Sequence, residues 1–158
     1  MTENEKEFIE EVLKDYPRLR SRVKVLIAGT YTEYSVPAMS FDTPSGGNTH
    51  EFYSDVENYI MKKYDDSNYI FNLIRKRDVI KNSLDCLTSQ EYKVIKLKYF
   101  ENMTSVRTGI EMEISASTVK RKRDSAFKKL IEVGMVETIQ QIDEKLTQNW
   151  TDFEPHTL

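Results

Sequence analysis

A single cysteine, Cys86, leaves this chain without an intramolecular disulfide and fits a reducing compartment. The opening residues, MTENEKEFIEE, are acidic where a secretory signal would be basic, so a cytoplasmic protein is expected. Long hydrophobic runs are missing too. The longest, from Val23 to Ala28, is interrupted by Lys24, far short of the roughly 20 apolar residues that span a bilayer, so no membrane partner is expected. Strand-like alternation and internal repeats are both wanting, which leaves an all-α fold. His50 and His156 stand far apart, outside any zinc-ligand spacing, so no metal site is expected. Gly46-Gly47 lacks the Gly-Lys-Ser/Thr sequel of a phosphate loop. The acidic pairs Glu10-Glu11 and Asp65-Asp66 are neighbours in sequence, and on a helix neighbours point apart. The tyrosines are scattered, with no strand platform for RNA bases. Cys86, with no histidine or basic residue beside it, reads as a small core residue. The expectation is a binding protein, not an enzyme, with no catalytic residues and no cofactor.

Charge is present and segregated. Residues 1–87 hold 12 basic and 15 acidic side chains, residues 88–131 hold 10 and 5, and residues 132–158 hold 1 and 6. Only the middle segment, at +5, suits a polyanionic partner.

The apolar spacing predicts five segments. Residues 1–29 form an N-terminal helical segment. Its first helix, 3–15, carries Phe8, Ile9, Val12 and Leu13, and the second, 17–29, carries Leu19, Val23, Leu26 and Ile27. Pro17 is placed at the break and Gly29 at the stop. Arg18, Arg20, Arg22 and Lys24 line the second helix's other face, more in keeping with a solvated surface than with a phosphate contact. Residues 30–48, rich in Pro, Gly, Ser and Thr, read as a flexible linker. Residues 49–87 read as a helical connector and oligomerisation segment. It opens on a Ser54–Glu57 capping box with Val56, Tyr59, Ile60 and Tyr64, and continues with Tyr69, Ile70, Leu73, Ile74, Ile80, Leu84 and Leu87.

Residues 88–134 hold the informative pattern. Thr88 and Glu91 make a capping box for a helix that presents Tyr92, Val94, Ile95, Leu97 and Tyr99 to a core and ends at Glu101-Asn102. Thr104 caps a short helix, about 104–112, with apolar Val106, Ile110 and Met112, and with Gly109 small enough for a close crossing. Ser115 caps a third helix that stops at Gly134. Helix, short helix, tight turn and basic helix make a helix-turn-helix. In the third helix Val119, Ala126, Leu130 and Ile131 face inward. Ala116 and Ser117 keep its N-terminal end narrow enough for the major groove of double-stranded DNA. Thr118 can bond phosphate, and Arg121 can fork onto a guanine edge. Lys120, Lys122, Arg123, Lys128 and Lys129 would neutralise flanking phosphates. The candidate DNA-binding set is therefore Ser115, Ser117, Thr118, Lys120, Arg121, Lys122, Arg123, Lys128 and Lys129.

Residues 135–158 form a C-terminal amphipathic helix and tail, striped by Met135, Ile139, Ile142, Leu146 and Trp150. The stripe fits packing on its own domain and pairing with another subunit equally well.

LTSQEYKVIKLKYF followed by ISASTVKRKRDSAFKKL resembles region 4 of bacterial sigma factors, the module that binds the −35 promoter element. Ile114, Ser115, Thr118, Val119, Lys120, Ala126, Lys128, Lys129 and Leu130 carry the likeness. Over about residues 5–134 the layout is also similar to the RinA/ArpU family of phage late-gene transcriptional regulators, through Tyr16-Pro17, Ser45-Gly46-Gly47 and Leu87-Thr88-x-x-Glu91. That resemblance implies activation of phage late operons together with RNA polymerase of a bacterial host. Two residues depart from the sigma pattern. Glu113 stands where the turn often has glycine, and a left-handed glutamate there is uncommon. Arg123 occupies a place usually apolar, so it packs by its stem or the helix rotates. A homo-oligomer, at least a dimer, is expected from the helices outside 88–131, because one helix-turn-helix reads only a short site. The alternatives are a minimal sigma-like factor and a small terminase subunit. Against the first, the acidic and aromatic motif that melts the −10 element is missing after residues 7–29.

Overall fold

Helix α1 spans Glu3–Glu33 and runs through Pro17. The structure is a computed structural model and describes residues 1–33 and 68–151, with side chains described for 1–29 and 68–148. The expected break at Pro17 and stop at Gly29 are therefore corrected: one helix replaces two. Proline inside a helix costs about 3 kcal/mol, through a lost hydrogen bond and a clash with the carbonyl four residues back. The offset lies in the apolar stripe that continues across it. Ile9, Val12, Leu13, Tyr16, Leu19 and Val23 are all buried, and each such side chain is worth roughly 1.5–3 kcal/mol on burial. A break at Pro17 would turn Leu19 and Val23 off the core.

Most of the expected linker 30–48, the Ser54–Glu57 box with its apolar residues, both histidines and the packing of Trp150 lie outside the described residues. Description resumes in α2, helical from 68 to 84, which buries Leu73, Ile80 and Leu84. Cys86 follows in the turn and is exposed, so the expected core role is corrected. Helix α3, Ser89–Ile95, passes directly into a π-helical turn, Lys96–Phe100. Helix α4 spans Ser105–Met112, α5 spans Ala116–Glu132 and α6 spans Met135–Thr151. These six helices, with no strand among the described residues, make the fold all-α.

One core joins the segments. α1 supplies the stripe above, α2 gives Leu73, Ile80 and Leu84, and the α3–π segment gives Ile95 and Tyr99. Ala126, Phe127 and Leu130 come from α5, and Met135, Val136 and Ile139 from α6. The C-terminal stripe thus packs on its own chain: Met135, Ile139 and Ile142 are fully buried, and Leu146 is half-buried against the same core. Lys76 of α2 fastens α6 through an ion pair of 2.6 Å to Asp143. The π turn decides how α1 seats. By inserting an extra residue per turn, it lets Tyr99 and Phe100 both reach inward. Tyr99 meets the Phe127 ring at 5.9 Å, while Phe100 meets Tyr16 of α1 at 5.3 Å.

Candidate nucleic-acid interface

The three expected caps are all present. The side-chain oxygens of Thr88, Thr104 and Ser115 accept from the backbone N–H groups of Glu91, Arg107 and Thr118. Glu91 returns the bond to the Thr88 N–H at 2.9 Å, which completes the capping box. Between α4 and α5 the chain turns through Glu113, left-handed at φ 58°. The Glu113 N–H donates to the Ile110 carbonyl at 3.3 Å, and the Ile114 N–H donates to the Gly109 carbonyl at 2.9 Å. This pairing is the Schellman closure of a helix, here around a glutamate. The glycine that the turn needs stands in α4 instead. A Cβ on Gly109 would lie 2.6 Å from the Ile114 carbonyl oxygen, so only glycine lets the turn fold back so closely.

α4 therefore packs by its Thr108–Gly109 side, and both residues are buried. Val106 and Ile110 face solvent at 63% and 75% exposure, away from the core. α5 rests its inward face, Val119, Ala126, Phe127 and Leu130, on α3, α4 and the core. Phe127 escaped the sequence reading, although it sits one residue from Ala126 on the same inward arc.

The helix that results carries its candidate residues on two different sides. Ser117, Lys120, Arg121 and Lys128 are exposed. Positions 117, 121 and 128 fall close together at 100° per residue, and Lys120 lies at the edge of that stripe. Ser115, Ser117 and Thr118 join through their hydroxyls: Ser115 Oγ lies 2.9 Å from Ser117 Oγ and 2.8 Å from Thr118 Oγ1. Arg121 reaches back to Thr118 Oγ1 at 3.4 Å and otherwise projects outward.

The other three cations turn toward the protein. Lys122 donates to Gln90 of α3. Arg123 is 13% exposed and lies over the Phe127 ring, with Nη2 2.8 Å from Asp124 and Nη1 3.8 Å from Glu10 of α1. Arg123 therefore turns inward and is held by its guanidinium, over Phe127 and against Asp124 and Glu10. Lys129 Nζ donates to Glu91 at 2.8 Å. Glu91, 6% exposed, also accepts from Ser125 Oγ at 2.8 Å. Burial alone would raise its pKa, but the bonds from Lys129, the Thr88 backbone and Ser125 outweigh it and hold the carboxyl at about 2. Arg123 and Lys129 thus hold α5 to α1 and α3.

A second junction lies behind α5. Tyr99 donates its hydroxyl to Glu10 at 3.0 Å, and burial followed by the Glu10 charge pushes its pKa well up.

An open groove runs between α3 and α5, lined by Thr88, Ser89, Gln90, Glu91, Thr118, Arg121, Lys122 and Ser125. Ser89 and Gln90 were missed as site residues. The capping box marked a helix start at 88, but nothing in the spacing said that this start would lie beside α5. Tyr92, expected in the core, is 42% exposed, while Val94, Ile95, Leu97 and Tyr99 are buried as expected. Only one face of so short a helix can meet α5, and Val94 and Ile95 occupy it.

Among the described residues, no helix is long and apolar enough to cross a membrane. No group of three or more His, Cys, Asp or Glu side chains among them could hold a metal. No curated protein and no solved structure matches the chain. A family model matches residues 6–133, from α1 to the end of α5, and the chain belongs to that family, described as "Protein of unknown function (DUF722)".

Proposed function

We propose that this chain is a sequence-specific, double-stranded DNA-binding transcriptional regulator, without catalytic activity, that activates phage late genes with host RNA polymerase. The observation that carries the reading is the exposed stripe of α5. A capped helix follows a tight left-handed turn and presents Ser117, Arg121 and Lys128 along one side with Lys120 beside them. Short side chains at the entering end leave room for groove walls, and the cations behind them meet phosphate. The start of α3 flanks α5, where Ser89 and Gln90 offer further polar contacts to the DNA backbone. The phage late-gene role rests on the resemblance to RinA/ArpU regulators and to sigma region 4. That role puts the protein in the cytoplasm of a bacterial host, and a dimer or larger oligomer belongs to the proposal because one helix-turn-helix reads only a short site.

Selection from a random duplex library, followed by a footprint of the enriched sequence, tests the reading. A discrete protected site that Arg121→Ala no longer protects is the expected outcome. Failure to enrich any sequence overturns it. Transcription with core polymerase alone separates an activator from a minimal sigma-like factor, since only the latter initiates without another sigma factor. Large rings that bind DNA without affecting transcription would instead indicate a small terminase subunit.

A further inference from the structure

The long helix α1 places Arg20 and Lys24 one turn apart on one wall of a second groove. α2 places Arg77 and Lys81 one turn apart on the other. Tyr16, Leu84 and Tyr92 complete the lining with two carboxylates, Asp78 and Asp85. Asp78 is engaged by Arg77 at 2.9 Å. Arg20, Lys24 and Lys81 are exposed, and no ion pair among the described residues engages them. Arg20 lies over the Tyr16 ring at 5.7 Å, but the four cations outnumber the two carboxylates, and packing gives no reason to gather Lys24 and Lys81 beside them.

The groove's position supplies one. Tyr92 lines it from α3, and Thr88, which lines the recognition groove, lies one helical turn earlier on the same helix. Four residues at 1.5 Å each separate the two by about 6 Å along α3. A strand of phosphates that meets the start of α3 can therefore continue past Tyr92 into the groove between α1 and α2. We infer that this groove is a second contact for the DNA backbone, outside the helix-turn-helix, with Arg20, Lys24 and Lys81 as phosphate ligands and the Tyr92 hydroxyl as a further donor. The inference rests on the DNA-binding reading above. It gives the exposed Tyr92 a contact, and α1 a binding role in addition to its core stripe. The sequence alone favoured a solvated face for Arg20 and Lys24, because their partners Arg77 and Lys81 lie more than 50 residues away.

The test uses the full chain, a fluorescent duplex of about 30 bp of random sequence, and titrations over a range of salt. Each phosphate contact contributes about 0.9 to the log-affinity versus log-salt slope. The triple variant Arg20→Gln/Lys24→Gln/Lys81→Gln should flatten the slope by about two to three units. Lys24→Arg/Lys81→Arg, which keeps the charges, should retain it. Lys120→Gln/Lys128→Gln should remove about two units independently. If only the Lys120 and Lys128 changes flatten the slope, the second contact is overturned and the recognition helix stands. If the chain binds no duplex, both readings fall. Should the triple variant lose binding of a fluorescent poly-glutamate peptide while duplex binding is untouched, the groove serves an acidic protein and the DNA contact is overturned.

Discussion

The ammonium of Lys129, on the helix proposed to read DNA, lies 2.8 Å from the Glu91 carboxylate at the start of α3. The same carboxylate caps α3 and accepts from Ser125, so one buried acid fixes the angle at which α5 leaves the domain.

Glu91 should therefore make stability depend on acid. Its folded pKa of about 2 lies below the ordinary glutamate value of 4.5, so the stabilisation is fully present above about pH 4.5 and is lost as pH falls toward 2. A difference of this size corresponds to roughly 3 kcal/mol. Urea unfolding of the native chain and of Glu91→Gln should show a gap of about 2–3 kcal/mol at pH 7 that narrows steadily below pH 4.5. A gap that is constant with pH would remove Glu91 from the account.

The cations of α5 should separate into two kinds. Arg121→Ala should cost roughly 1–3 kcal/mol on the specific site and much less on random DNA. Lys128→Ala should weaken both alike and flatten the salt slope by about one unit. Lys129→Ala and Arg123→Ala should lower the unfolding midpoint and leave the salt slope unchanged. Equal slopes for all four variants would refute the division.

Gly109→Ala tests the turn. The added Cβ meets a backbone carbonyl at 2.6 Å, which a side-chain rotation cannot relieve. A loss of about 1–3 kcal/mol is expected, the range for overpacking, with DNA binding recovered in the fraction that folds. Wild-type stability in a thermal melt would show that the turn yields.

Thr108 is fully buried, and its Oγ1 has no hydrogen-bond partner among the described residues. Thr108→Val keeps the shape and removes a desolvated hydroxyl, so it should raise stability by about 1 kcal/mol. A lower unfolding midpoint would mean that the hydroxyl is bonded in solution.

Local chemistry was legible in the residues themselves. Thr88, Thr104 and Ser115 start helices because a short polar side chain bonds the free N–H groups of the first turn, and Gly134 ends α5 because its φ of 81° suits glycine. Glu113 is left-handed although the turn often has glycine there. These choices need only the few residues around them. What lies between distant segments needed the tertiary structure. Pro17 stays inside α1 because Leu19 and Val23 are buried beyond it, in a core completed by helices at the far end of the chain. Arg123 and Lys129 resemble Arg121 and Lys128 in sequence, and Glu10 and Glu91, 113 and 38 residues away, help to set them apart. Tyr92 and Ile110 look like core residues by composition, yet both are exposed because the one face that each short helix can bury is already taken. The stripe on α6 fitted its own core or another subunit until α1 and α5 supplied the surface it covers. A side chain's type limits what it can bond; the packing of the helices decides which partner comes within reach.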